Sequence, residues 1–98
     1  MYESKVRNGQ TDLLMKAILA LSNEEDAYRF FEDLCTIPEI KSISQRLEVA
    51  LLLRKKETYQ KIAEQTGASS ATISRVNRAL LYGADGYRRV LDAMEEKD

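Results

Sequence analysis

The segment from Tyr59 to Arg78 limits the possible folds of this chain more than any other part of it. Two short helices joined by a tight turn cross steeply, so the first must be small where the second passes, and Ala63 meets that need. Ile62 supplies core beside it. The reversal calls for a positive φ directly after the first helix, a conformation that Gly67 adopts at little cost. Ser69 and Ser70 then offer an N-cap for a second helix, in which Ile73, Val76 and Leu80 recur on one side. Ser70, Ala71, Ser74, Arg75 and Arg78 are left on the other side, small near the N-terminus and basic beyond it. No acid occurs from Ala68 to Ala84. That bias is of no use to a hairpin that only packs against protein, and it suits a recognition helix lying near phosphate.

The flanking segments also read as helices. Leu13, Leu14, Ala17, Ile18 and Leu21 recur at helical spacing, with Thr11 or Asp12 as cap, which predicts a first helix near 12 to 21. Ser22 or Asn23 caps a second, whose first turn holds Glu24, Glu25 and Asp26 against the positive end of the helix dipole. Its apolar positions are Ala27, Tyr28, Phe30, Phe31 and Leu34. Pro38, the only proline, disfavours helical geometry at Ile37 and ends that helix by about Cys35. A long third helix follows from about Pro38 to Lys56, with Ile40, Ile43, Leu47, Val49, Ala50, Leu51 and Leu53 covering an unusually wide surface. Gly83 terminates the recognition helix, Asp85 caps the last one, and Tyr87, Val90, Leu91 and Met94 form its apolar face. The prediction is an all-α chain of six helices. It divides into an N-terminal arm over 1–10, dimerisation helices over 11–56, a helix-turn-helix over 58–82 and a C-terminal helix over 85–96.

A chain of 98 residues has room for a single such domain. It also carries more apolar surface on its second and third helices than one copy can cover, and a symmetric homodimer is the simplest cover. The net charge of −1 is uninformative as a total. Its distribution is not. Acids crowd Glu24 to Glu39, whereas Arg46, Arg54, Lys55, Lys56, Lys61, Arg75, Arg78, Arg88 and Arg89 dominate the back half, as expected of a protein with one side facing DNA. Arg88 and Arg89 read equally as phosphate contacts or as solvated side chains. Catalysis finds no support: there is no histidine, no nucleophile beside a base, no glycine-rich phosphate loop and no metal-ligand cluster. No stretch reads as a membrane span or export signal, and the lone Cys35, beside Leu34 and Ile37, reads as a small buried hydrophobe in a reducing, cytoplasmic setting associated with the nucleoid.

Thr36, Arg46 in the third helix, Gly67-Ala68, and the run Ala71-Thr72-Ile73-Ser74-Arg75 together resemble the Trp repressor superfamily, and within it the Trp repressor-like YerC/YecD family. Spacing is similar except for one residue fewer between Arg46 and Gly67. The resemblance implies a six-helix, intertwined homodimer in which the fourth and fifth helices read DNA. It also implies a ligand pocket, because tryptophan-sensing members sandwich the indole between two arginines at the positions of Arg46 and Arg75, with Thr36 nearby. The pocket departs from that pattern. Val76 stands where those members leave space with a glycine, and Ala79 where they hydrogen-bond the ligand through a serine. Tryptophan is therefore not expected as co-repressor, no cofactor or metal is expected, and any small-molecule effector stays open. Arg46 then reads as a salt-bridge partner of Glu48 or Glu57, and Arg75 as a phosphate contact.

The expected function is sequence-specific transcription regulation, as a repressor, with the helix over 69–82 in the major groove of double-stranded DNA. Ser70, Ala71 and Ser74 face base edges, Gln60, Lys61, Arg75 and Arg78 hold phosphates or purines, and Ser69 and Thr72 complete the DNA-binding set. The competing reading is a helical adaptor that docks on transcription machinery through the acidic second helix and binds no specific DNA.

Overall fold

A computed structural model describes residues 1–96, which form six α-helices and no strand. The described residues divide into two compact units, 1–37 and 38–96.

In the first unit, α1 (Gly9–Leu19) begins three residues earlier than its apolar spacing suggests. Asn8 caps it: its side-chain oxygen accepts from Thr11 N at 2.9 Å, and Thr11 Oγ1 accepts from Asn8 N at 2.8 Å. Thr11 is thus the third helical residue of a capping box rather than the cap. In α2 (Glu24–Leu34), Asn23 accepts from Asp26 N at 2.8 Å, as the sequence led one to expect. Phe30 and Phe31 meet edge to face at 5.6 Å. Neither helix has a buried residue. Leu13, Leu19, Tyr28 and Leu34 are all exposed, Leu19 by 84%. Cys35, expected inside, is only half-buried, since the apolar neighbours that suggested burial, Leu34 and Ile37, are themselves exposed.

The second unit holds the core. It takes in α3 (Ile37–Arg54) from its second residue on, and the last three turns of that helix contribute Val49, Ala50 and Leu52. These pack with Ile62 of α4 (Tyr59–Thr66), Ala68 of the turn, Ile73 and Val76 of α5 (Ser70–Tyr82), and Leu91 of α6 (Gly86–Glu96). Of these, Ile62, Ile73, Val76 and Val49 are at most 1% exposed. Earlier along α3, Ile43 and Leu47 stay exposed. The helix ends at Arg54, two residues short of the expected Lys56. Backbone bonds from Lys56 N to Leu53 O and Glu57 N to Leu52 O turn the chain out of the helix there.

Candidate nucleic-acid interface

Local chemistry builds the helix-turn-helix. Thr58 caps α4 by accepting from Lys61 N at 3.2 Å. Gly67 closes that helix at φ 75°, donating to Ala63 O at 2.9 Å. Thr66 bridges the turn: its hydroxyl donates to Ile62 O at 2.7 Å and accepts from Ala68 N at 3.1 Å. Gln45 of α3 donates to Thr66 O at 3.2 Å, so the turn is tied to the helix beneath it as well as packed on it. Ser69 then caps α5, accepting from Thr72 N at 3.1 Å. At the far end, Gly83 is required for space, because a Cβ there would lie 2.4 Å from Ala79 O.

These caps sort the residues of the predicted reading face. Ser69 and half-buried Thr72 engage one another, hydroxyl to hydroxyl at 3.1 Å, and fix the start of the helix. Ser70, Ala71, Ser74, Arg75 and Arg78 are exposed on the side away from buried Ile73 and Val76. On α4, Lys61 is exposed and pairs with Glu57 at 3.5 Å, and Gln60 reaches Glu64 at 3.5 Å. Both contacts lie in solvent, where such pairs contribute about 0–1 kcal/mol and exchange readily for phosphate.

The cations of the second unit fall into two groups. Around α6 they are neutralised: Arg54 contacts Asp92 and Glu95, Arg88 contacts Asp85 and Asp92, and Arg89 contacts Asp85 at 3.5 Å. Hydrogen bonding from Arg88 holds the Asp85 carboxyl below its ordinary value, and Asp85 in turn raises Arg88. Arg88 and Arg89 are therefore ion-paired at the surface rather than simply solvated. Sequence reasoning missed this hub, although Asp85 followed by arginines three and four residues later was a visible signal. Arg75 and Arg78, in contrast, have no acid partner among the described residues. A helix face with small side chains at its N-terminal end and unneutralised arginines behind them can approach base edges while the arginines meet phosphate.

Each residue of the possible ligand pocket has its own surroundings. Thr36 belongs to the first unit and is exposed. Arg46 donates to Ser42 Oγ at 3.1 Å rather than pairing with Glu48 or Glu57. Ser42 lies one turn back on the same face of α3, whereas a residue two positions on, Glu48, points elsewhere, and Glu57 is engaged by Lys61. Val76 is a core residue at 1% exposure. Ala79 lines a shallow apolar cleft of about 470 Å³ with Leu47, Ala84, Gly86, Tyr87 and Val90, in which neither Arg46 nor Arg75 takes part.

The family model for the Trp repressor protein matches residues 9–95, from the start of α1 to within a residue of the end of α6. The chain belongs to the Trp repressor family. Within that family it is of the YerC kind: it is 53% identical over 98 residues to the uncharacterized protein YerC of Bacillus subtilis (strain 168), covering all of this chain and 94% of that one. Two solved structures agree in fold. A Trp repressor candidate from Staphylococcus aureus superposes with a TM-score of 0.89 at 50% identity, over 93% of this chain and 91% of that one. A TrpR-like protein from Eubacterium eligens ATCC 27750 also gives 0.89, at 56% identity, over 93% and 94%. As a Trp repressor family member the chain is a DNA-binding regulator of transcription with a helix-turn-helix, and the family is regulatory rather than enzymatic.

Proposed function

We propose that the protein is a sequence-specific repressor that reads the major groove with α5. The observation that carries this reading is the exposed face of Ser70, Ala71, Ser74, Arg75 and Arg78, in which the arginines lack acid partners among the described residues while those around α6 are paired. Ser70 and Ser74 offer hydroxyls to several bases, the Ala71 methyl suits thymine, and Arg75 and Arg78 reach phosphates or purines, with Gln60 and Lys61 on the flanking backbone.

The working unit in this reading is an intertwined homodimer. Support comes from the first unit, whose helices bury none of their residues, and from exposed Ile43 and Leu47 on α3. Two reader helices related by a two-fold axis would enter successive major grooves about 34 Å apart, which calls for a near-palindromic operator. Tryptophan has no part in this reading: Val76 fills space with a buried branched side chain, and Ala79 offers a ligand no hydrogen bond. A protein of this kind works in the cytoplasm, at the nucleoid; no described helix is long and apolar enough to cross a membrane.

The test is selection of genomic fragments by the purified protein at moderate salt, followed by sequencing. A shared near-palindromic motif, retained without added tryptophan, is the expected result. Binding that does not weaken as salt rises, or recovery of proteins and no DNA, would favour the adaptor instead.

A further inference from the structure

The end of α3 is closed by a backbone pattern that normally falls on glycine. Lys56 N donates to Leu53 O at 2.9 Å and Glu57 N to Leu52 O at 3.1 Å. These are the paired bonds of a Schellman turn, whose first residue beyond the helix cap sits in the left-handed region. Here that residue is Lys56, at φ 64°. A side chain with a Cβ is strained in this conformation and glycine is not.

Asp85 is the other non-glycine residue at positive φ, and its side chain serves the fold by gathering Arg88 and Arg89. The Lys56 side chain does nothing comparable. It is exposed, and it has no hydrogen bond or acid partner among the described residues. Its surroundings indicate another use. Lys56 shares a cleft of about 410 Å³ with Asn77, Leu80 and Leu81 of α5, which puts it on a rim beside the reader helix. Arg54 and Arg88 line the same cleft, but both are held by Asp92. Among the described lining residues, Lys56 is the cation left unneutralised.

We propose that Lys56 is a DNA-phosphate contact, a cation held at the elbow between α3 and α4 at a cost to stability, which meets the backbone from the Asn77–Leu81 flank of α5 while Arg75 and Arg78 meet it from the exposed face. The inference rests on the DNA-binding reading above and adds a residue to it.

Binding of a fluorescent random-sequence duplex, followed by anisotropy between about 50 and 200 mM salt, separates the possibilities. Lys56→Gly is expected to melt a few degrees higher than the wild type, because strain is relieved. It should also bind more weakly, by roughly threefold at the lower salt, with a log–log salt dependence flatter by about 0.9 per protomer. Lys56→Ala should lose the same affinity without the gain in melting temperature. If both variants keep the wild-type salt dependence while Arg78→Ala flattens it, DNA binding stands and the role of Lys56 is refuted. If Lys56→Ala only lowers the melting temperature, the lysine serves the α3 dipole and the proposal falls. If neither Lys56 nor Arg78 affects the salt dependence, the DNA-binding reading fails with it.

Discussion

The two units of the chain use apolar residues in opposite ways. The second gathers Val49, Ala50, Leu52, Ile62, Ala68, Ile73, Val76 and Leu91 into a core around the helix-turn-helix. The first has two well-capped amphipathic helices and leaves Leu13, Leu19, Tyr28 and Leu34 in the open. Caps and periodicity are enough to specify a helix, but a face without a partner contributes little stability. In the proposed homodimer the two units would divide the labour, one holding a reading surface and the other offering its apolar surface to a second copy.

Substitutions can break that comparison or sharpen it. The largest effect is expected in the core, where Ile73→Ala should destabilise the protein by about 2–5 kcal/mol in denaturant unfolding. A loss below about 1 kcal/mol would mean that the second unit is no more self-sufficient than the first. Leu13→Asp combined with Leu19→Asp should leave the fold of the second unit intact and weaken dimerisation at least tenfold in sedimentation, about 1.4 kcal/mol. An unchanged oligomeric state would show that the exposed leucines of α1 are not the dimer contact. Ser69→Ala, which removes the cap of α5, should cost about 1 kcal/mol in thermal melting and loosen the start of the reader helix. The smallest effect is that of acid. The Asp85 carboxyl is depressed by Arg88, so its stabilisation is fully present above its unfolded value of 3.8 and is lost as pH falls through the still lower folded value. Asp85→Asn should remove that part of the acid titration, and an unaltered melting profile below pH 4 would show that the hub does not stabilise α6.

Legibility in the sequence followed the locality of the chemistry. Gly67 and Ser69 marked the reader correctly because a positive φ and a side-chain cap each depend on a few adjacent residues. The start of α1 was ambiguous for the same kind of reason: Asn8 and Thr11 are both good caps three residues apart, and apolar spacing does not say which of them wins. The end of α3 carried no glycine to announce it, since Lys56 occupies the left-handed position. Arg46 was assigned an acid on the basis of closeness in sequence, whereas the helix turned it toward Ser42. Its charge is still unneutralised among the described residues, as are those of Arg75 and Arg78, and pairing of this kind depends on side-chain direction that spacing alone does not give.

The fit at Gly83 has a consequence for where α5 can end. Where the backbone after Tyr82 passes so close to the Ala79 carbonyl that one methyl group cannot be admitted, any side chain placed at Gly83 must push the chain aside. The reader helix therefore cannot be lengthened or re-ended by substitution at that position without re-aiming the segment that leads into the last helix.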